Sequence, residues 1–269
     1  MMLRRASMAV VVTLLAGCGE VVVSPTLGDE WADAGPAAQT KLLLASSGDT
    51  LYAVHHPSDA TGDHLAKVRV IATFKGCEGV TDLAMSRAGE LYATTATGLY
   101  TIDRSDGTCT LVATGAYPES LAFVPPGAVD PDEEALVGYA GASYVRIDPS
   151  TGSITTLGQL GSGLEVGSDL AADPLGNLFL TVTGEDCDGD VCLARVDPKT
   201  GALAEMLYAI SEDISGLAFA DGKLYGVSGH GPLWGLTTTP PEPLMPIVSG
   251  FPTSTPAGML DLQGATAEP

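Results

Sequence analysis

The sequence predicts an all-β protein, a β-propeller with five four-stranded blades, and it leaves six blades open as an alternative. Three observations lead to this fold class. A unit of about 45 residues recurs from residue 42 to the C-terminus. Each unit holds four short apolar runs separated by turn residues. No stretch of useful length has the period of an amphipathic helix.

The repeats follow one another in a regular order. They begin near Leu42, Asp82, Ser120, Asp169 and Ser215. The clearest copy opens with Asp169-Leu170-Ala171-Ala172, whose small residues suit a crowded inner strand near the axis. It passes a second strand at Leu178 and ends its third at the turn Asp197-Pro198-Lys199-Thr200-Gly201. In such a turn Pro presets one φ and Gly accepts a positive φ, so the repeat predicts tight connections.

A final apolar run covers Ala257 to Leu262. This run either closes the ring against the first blade or starts a sixth blade together with Val21 to Val23. The five repeat starts favour five blades.

Residues 1–17 predict a lipoprotein signal peptide. Arg4 and Arg5 precede an apolar stretch, Ala6 to Leu14, that is too short for a permanent membrane helix. The following Leu15-Ala16-Gly17-Cys18 resembles a bacterial lipobox, which implies cleavage before Cys18 and its lipidation. An ordinary secretory signal with an incidental cysteine is the alternative. Acylation with palmitate-type chains anchors stably when two or more chains are present.

The signal also predicts an address and a domain plan. Residues 18–40 carry the lipidated cysteine and a flexible tether rich in Ala, Gly, Pro and acidic residues, and residues 41–269 form the propeller. Gly19 follows the lipidated position, so no Asp signals retention in the inner membrane. The predicted location is the bacterial cell envelope, at the outer membrane.

The charge of the chain limits its partners. The formal net charge is −21, and removal of residues 1–17 with Arg4 and Arg5 takes it to −23. Nucleic acid and anionic lipid head groups are therefore excluded as partners, because phosphate binding needs a basic surface. Contact with the membrane is predicted through the lipid anchor alone. Envelope proteins with a basic surface, or a cationic ligand, match the charge.

Four cysteines remain once Cys18 carries the lipid, and they permit three disulfide connectivities. Cys187 and Cys192 flank one loop and suit a hairpin clip, whereas Cys77 and Cys109 could join neighbouring strands. No Cys-x-x-Cys spacing is present, which favours structural disulfides over redox or zinc chemistry.

A divalent metal is the one candidate cofactor, and imidazole with carboxylate ligands would suit it. The candidate ligands are His55, His56, His64, His230, Asp186, Asp188 and Asp190. All four histidines are predicted to lie in loops between second and third strands, on one face of the ring. The alternatives are unliganded surface histidines and a solvated acidic loop, since the spacing is not that of a calcium loop.

Two further features have open interpretations. Asp82 and Asp169 begin inner strands, where they either bind a ligand at the channel mouth or cap backbone N–H groups. The insertion from Pro125 to Glu134 is rich in Pro and acids and is predicted to be a mobile surface loop.

The run Leu170 to Phe179 resembles the blades of NHL-type and gluconolactonase/regucalcin-type propellers. The lactonases of that group hold a divalent metal with Glu, Asn and Asp ligands. This chain has a single asparagine, Asn177, in a turn, so that metal site is not transferred. The resemblance therefore implies a blade and no activity.

The sequence contains no catalytic motif, and a role in binding is favoured over an enzymatic one. The leading hypothesis is a lipid-anchored envelope propeller that acts as a binding or scaffold module. The alternative is a metal-dependent envelope hydrolase or lactonase that uses the His and Asp loops. A third hypothesis is a metal or small-cation binder without turnover.

Overall fold

The structure is a computed structural model that describes residues 40–57, 67–187, 191–220, 222–228, 233–236, 238, 245–248 and 256–261. All regular secondary structure in these ranges is β-strand. Among the same residues, no helix is long and apolar enough to cross a membrane. Residues 1–39, with the predicted signal peptide, Cys18 and most of the tether, lie outside the described residues.

The strands form five four-stranded antiparallel sheets, so the predicted five-bladed propeller is confirmed. In chain order the strands are β1 Thr40–Ser47, β2 Thr50–Pro57, β3 Lys67–Thr73, β4 Val80–Met85, β5 Leu91–Thr95, β6 Gly98–Ile102, β7 Cys109–Thr114, β8 Ser120–Val124, β9 Ala135–Ala140, β10 Ser143–Ile147, β11 Ile154–Gln159, β12 Leu164–Ala172, β13 Leu178–Gly184, β14 Val191–Val196, β15 Leu203–Ile210, β16 Ile214–Ala220, β17 Lys223–Ser228, β18 Leu233–Leu236, β19 Met245–Val248 and β20 Pro256–Asp261. Blade I has the order β20-β1-β2-β3, and blades II to V are β4–β7, β8–β11, β12–β15 and β16–β19.

The C-terminal strand closes the ring. β20 pairs with β1, with Leu44 opposite Leu260, and it packs between the inner strands β16 and β4. Of the two roles predicted for this segment, closure of the ring against the first blade is confirmed. The prediction that Leu42 begins the innermost strand of the first blade is wrong, because β1 is the second strand of that blade and β20 is the innermost.

The hydrophobic core lies between the blades. Among the described residues, five clusters of buried side chains each join two neighbouring blades. Leu43 of blade I packs with Val227 of blade V, and Leu51 of blade I packs with Leu91 of blade II. Burying apolar area on both faces of every sheet in this way stabilises the ring as a single unit.

The Asp-containing turns have the predicted chemistry. In the turn of blade IV, the Asp197 carboxylate accepts the N–H of Lys199 at 2.8 Å, and the Asp197 carbonyl accepts the N–H of Gly201 at 2.7 Å. Gly201 has φ +67°, and a Cβ there would lie 2.3 Å from the Cβ of the buried Tyr144. Glycine is therefore required by both conformation and packing.

Both predicted disulfides are present. Cys77 pairs with Cys109 and Cys187 with Cys192, each with Cα atoms 5.7 Å apart. The first joins the segment before blade II to its outer strand, and the second clips the connection between β13 and β14. The loops they close have sequence separations of 32 and 5. Chain entropy then predicts stabilisation of about 3–4 and about 2 kcal/mol.

Candidate functional site

The strand order divides the chemistry between two faces of the ring. We call the face at which the inner strands β4, β8, β12, β16 and β20 end the exit face. In blades II to V the connections from first to second strand lie on the exit face, and in every blade the connection from third to fourth strand lies there too. The connections from second to third strand, and those between blades, lie on the opposite face.

The strand order changes the expected position of two of the histidines. Because β20 is the first strand of blade I, β2 is its third strand, and His55 and His56 lie near the end of β2 toward the exit face. The prediction of second-to-third loops is therefore wrong for His55 and His56. His64 and His230 lie outside the described residues, and their position stays a prediction.

The candidate metal ligands fall largely outside the described residues. Asp186 is described and exposed. The side chains of His55 and His56 lie outside the described residues, and so do four whole residues: His64, His230, Asp188 and Asp190. In the described part of the chain, no group of three or more His, Cys, Asp or Glu side chains is placed to hold a metal ion.

A cavity of about 420 Å³ opens on the axis at the exit face. Its walls are the ends of β4, β8, β12 and β16 and the turns that follow them. Apolar side chains form much of the lining: Met85, Phe123, Val124, Pro125, Pro174 and Phe219. Cavities of this size with mainly apolar walls and a few polar groups are typical of ligand sites.

Two charged residues, Arg87 and Glu134, line the same cavity. The Glu134 carboxylate accepts the backbone N–H of Arg87 with both oxygens, at 3.2 and 3.0 Å. Glu90 lies close by and accepts the hydroxyl of Tyr92 at 3.2 Å. Burial, followed by the charges of Glu90 and Glu134, raises the pKa of Tyr92 to about 12. Charges of both signs therefore lie at the cavity, since the Arg104 guanidinium also contacts the sulfur of the lining residue Met85 at 3.8 Å.

The insertion Pro125–Glu134 brings Glu134 to this position, and it is not the loosely attached loop that its composition predicts. Ala128 packs into the core with 9% exposure. Asp130 accepts the N–H groups of Asp132 and Glu133 and forms an ion pair of 3.0 Å with Arg146. A core contact and an ion pair fix the insertion against blade III.

A turn beside the cavity presents an apolar side chain to solvent. The buried Asp173 carboxylate accepts the N–H groups of Leu175 and Asn177 and the side-chain amide of Asn177. This network holds a tight turn between β12 and β13 and explains the single asparagine as a structural residue. The same turn leaves Leu175 with 87% of its surface exposed, next to the cavity-lining Pro174.

Two buried aspartates lie directly behind the cavity lining. Asp82 and Asp169 have 1% and 2% exposure. Asp82 accepts the N–H of Leu83 at 2.7 Å and the N–H of Leu121 on the next inner strand. Asp169 accepts the N–H of Leu170 at 2.6 Å and the N–H of Leu217 on β16 at 2.5 Å. The expectation that these carboxylates cap backbone N–H groups is confirmed.

The two carboxyl groups are also close enough to affect each other's titration. Burial raises the pKa of Asp82 well above its ordinary value, and the neighbouring Asp169 carboxylate raises it further. Burial likewise raises the pKa of Asp169, against the opposing effect of its N–H donors. Two like charges close together in a low-dielectric interior repel each other strongly, so double ionisation of the pair is disfavoured.

Comparison with known proteins identifies the fold and nothing narrower. Neither a protein-family model nor a curated protein sequence matches the chain. A solved chain of the nidogen/laminin complex is similar over 84% of this chain and 99% of its own length, with a TM-score of 0.53 and 10% identity. A symmetrical protein from a study of de novo evolutionary emergence is similar over 81% of this chain and 93% of its own, with a TM-score of 0.52 and 22% identity.

A regucalcin from Agrobacterium tumefaciens is also similar, over 68% of this chain and 66% of its own, with a TM-score of 0.41 and 17% identity. The first two likenesses support the β-propeller fold seen in the sheet order. At these identities, none of the three assigns a ligand or an activity to this chain.

The cavity residues were not predicted from the sequence as a site. Met85, Phe123 and Phe219 are ordinary apolar residues in repeat positions, and they meet because the inner strands converge on the axis. One signal was available: they share the position that follows Leu-Ala in three repeats. Equivalent positions in different blades face the same end of the channel.

Proposed function

We propose that this protein is a lipid-anchored β-propeller of the bacterial cell envelope that acts as a binding or scaffold module, with its partner bound at the axial cavity. The observation that carries the proposal is the cavity of about 420 Å³ at the exit face, with Leu175 exposed beside it. The expected partner is an envelope protein that inserts an apolar side chain into the cavity.

The lining supports an apolar insertion. Met85, Phe123 and Phe219 offer contact area, while Arg87 and Glu134 at the same cavity can orient a polar group. Leu175, at 87% exposure, extends this apolar region onto the surface. Contiguous exposed apolar surface marks interaction sites, and Leu175 adds to the apolar surface of the cavity lining.

Charge supports a basic partner. The chain carries a net charge of −21, and −23 after the predicted cleavage. Glu134 and Arg87 both line the cavity, so the preference for a basic partner depends on the net charge of the whole chain. Such a surface attracts a basic segment and increases its association rate at low salt.

The alternative function, a metal-dependent hydrolase or lactonase, requires the His and Asp loops to converge. His55 and His56 lie near the exit-face end of β2, whereas Asp186 lies in the connection from β13 to β14 on the opposite face. This arrangement does not support a single metal centre that uses all three residues. We therefore favour the binding role.

Photo-crosslinking in whole cells tests the binding proposal. A photoreactive amino acid is placed at Leu175 and, as a matched control, at Leu111, which is 49% exposed on the outer strand β7. We expect a discrete protein adduct from position 175, none from position 111, and a weaker adduct at raised salt. Equal labelling from both positions, or no adduct from either, would contradict the proposal.

The anchor is tested separately. Cells that express the wild-type protein or Cys18→Ser are labelled with an alkyne analogue of palmitate and fractionated. We expect label and membrane association for the wild-type protein only. Label on Cys18→Ser, or a soluble wild-type protein, would reject lipidation at Cys18 and leave the cavity proposal to its own test.

A further inference from the structure

We propose that Asp82 and Asp169 form a proton-binding site, in which one proton shared between the two buried carboxyl groups holds the blades together behind the axial cavity. The two residues lie on the inner strands β4 and β12 of non-adjacent blades. Three of their N–H donors, those of Leu121, Leu170 and Leu217, belong to residues that line one axial cavity, so the two carboxyl groups face each other across the ring. This site is independent of the proposed binding partner.

The surroundings of the pair favour a single negative charge. Each of the four carboxyl oxygens accepts one backbone N–H, from Leu83, Leu121, Leu170 and Leu217. Four N–H donors stabilise one carboxylate well, but two carboxylates in contact repel each other strongly when buried. The four N–H groups already offset much of the negative charge, so the pair attracts a divalent cation less than a free carboxylate pair would.

The strands around the pair carry few other charged residues. The strands packed around it, β5, β8, β13 and β16, contain no charged residue. β4 has no charged residue besides Asp82, and β12 adds only Glu165, which is exposed near its start. β20 carries Asp261 as its last residue, and the side chain of Asp261 lies outside the described residues. Among the described side chains of these inner strands, the pair is therefore the buried titrating unit.

The proton connects the pair to the ring and to the cavity. Asp82 joins blade II to blade III through the N–H of Leu121, and Asp169 joins blade IV to blade V through the N–H of Leu217. The shared proton joins these two halves. Leu121, Leu170 and Leu217 also line the axial cavity. Loss of the proton places two negative charges together and loosens the strand ends that form the cavity.

The direction of the pH effect follows from proton linkage. A carboxyl group with a raised pKa in the folded state keeps a proton that the unfolded chain has already released. Its contribution to stability is then full below the unfolded value of about 4 and is lost as pH rises through the folded value. The pKa of Asp169 is raised to about 7, so the loss extends from about pH 4 into the neutral range.

Two measurements on the full-length protein test this inference. The first follows the carboxyl ¹³C signals of aspartate by NMR from pH 3 to pH 9. We expect one carboxyl of the pair to titrate well above the ordinary range, and this requires no variant. The second compares melting temperatures over pH 5–8 for the wild-type protein, Asp82→Asn and Asp169→Asn. We expect the wild-type value to fall by about 3 °C per pH unit while the proton is lost.

The variants separate a shared proton from a merely buried acid. An asparagine can donate to the remaining carboxylate, so both variants should lose most of the pH slope. Asp173→Asn is the matched control, because Asp173 is also buried and accepts two backbone N–H groups, yet it bonds no carboxyl among the described residues. It should keep the wild-type slope. Carboxyl signals that all titrate near pH 4, or an unchanged slope in both pair variants, would overturn the proposal.

Discussion

Asp82 and Asp148 show how the same residue takes opposite roles in one fold. Asp148 lies in a surface turn, where its carboxylate accepts the N–H and hydroxyl of Ser150, and these bonds lower its pKa. Asp82 lies at the axis, where burial and a second carboxyl raise its pKa despite two N–H donors. The number of N–H donors is similar, so the difference comes from solvent access and from the charge of the neighbour.

A repeat motif therefore does not fix the pKa values of its residues. Asp148 and Asp197 recur at one turn position and remain separate from each other, because the blades diverge outward from the axis. Asp82 and Asp169 recur at an inner position, and convergence of the blades brings them into contact. Ring geometry therefore turns a repeated cap into a coupled pair only near the axis.

The largest loss of stability is expected in the turns, from replacement of a glycine and not of an aspartate. In Gly201→Ala the new Cβ would lie 2.3 Å from two carbon atoms of the buried Tyr144, at φ +67°. Backbone strain and overpacking together predict a loss of at least about 4 kcal/mol of unfolding free energy. Urea unfolding monitored by circular dichroism measures this loss.

Gly141→Ala is the control for that change. Gly141 has φ +58°, but a Cβ there meets nothing within 4 Å. Backbone strain alone predicts a loss of about 1–2 kcal/mol. Equal losses at both positions would show that packing against Tyr144 adds nothing.

At the axis, Asp169→Ala is expected to destabilise the fold more than Asp148→Ala in the surface turn. It leaves the N–H groups of Leu170 and Leu217 without their acceptor in the interior. Two unsatisfied buried donors cost about 2–4 kcal/mol, partly offset by the relief of carboxyl repulsion. Chemical unfolding at pH 5 measures the loss, and a loss below that of Asp148→Ala would contradict the view that Asp169 links blades IV and V.

The fold was predictable because the repeat is local and the blade count follows from it. Closure of the ring by the C-terminal run was one of two predicted alternatives, but its place as the innermost strand of blade I was not predicted. The run Gly258-Met259-Leu260 lacks the Leu-Ala of the other inner strands. The sequence therefore predicts β1 as the first strand of blade I, although β1 is the second. This error of one strand moves His55 and His56 to the wrong face in the prediction, since successive strands run in opposite directions.

The candidate site was less predictable for a physical reason. Asp82 and Asp169 are distant in sequence, and their contact depends on how five blades close around an axis. The capping role of each residue could be predicted from its position directly before the Leu-Ala of an inner strand, because its bond to the next N–H is local. The shared proton is a property of two blades and could not be predicted from either repeat alone.

The pH dependence of stability should have two limbs that separate the two classes of aspartate. Hydrogen bonds lower the pKa values of four aspartates: Asp103, Asp106, Asp130 and Asp148. The stability that they contribute is therefore present above the unfolded-state pKa of about 4 and is lost as pH falls. The axial pair has raised pKa values and gives the opposite slope above about pH 4. We expect the melting temperature to be highest at about pH 4–5.

Calorimetry from pH 2.5 to pH 8 measures this profile. Asp148→Asn should flatten the acid limb slightly, and Asp82→Asn should flatten the limb above pH 5. A melting temperature that rises steadily up to pH 8 would contradict the assignment of a retained proton to the axial pair.

The surface turn should tolerate loss of its carboxylate. Asp148→Ala removes the bonds to Ser150 and Thr151 in an exposed turn, where water replaces them. We expect a smaller fall in melting temperature than for Asp169→Ala, and one that disappears at low pH as Asp148 becomes protonated in the wild-type protein. A pH-independent fall would show that the side chain acts through packing instead of charge.

The smallest effect on stability is expected at Leu175, where the proposed function predicts a large effect on binding. Leu175→Ser changes a side chain that is 87% exposed, so the unfolding free energy should change by less than about 0.5 kcal/mol. If the exit face binds a partner through apolar contact, the same variant should reduce the adduct formed by a photoreactive residue placed at Arg87, beside the cavity. Leu111→Ser on β7 is the matched change and should leave that adduct intact. An adduct that survives Leu175→Ser would restrict recognition to the cavity itself, because the exposed turn would then contribute nothing to it.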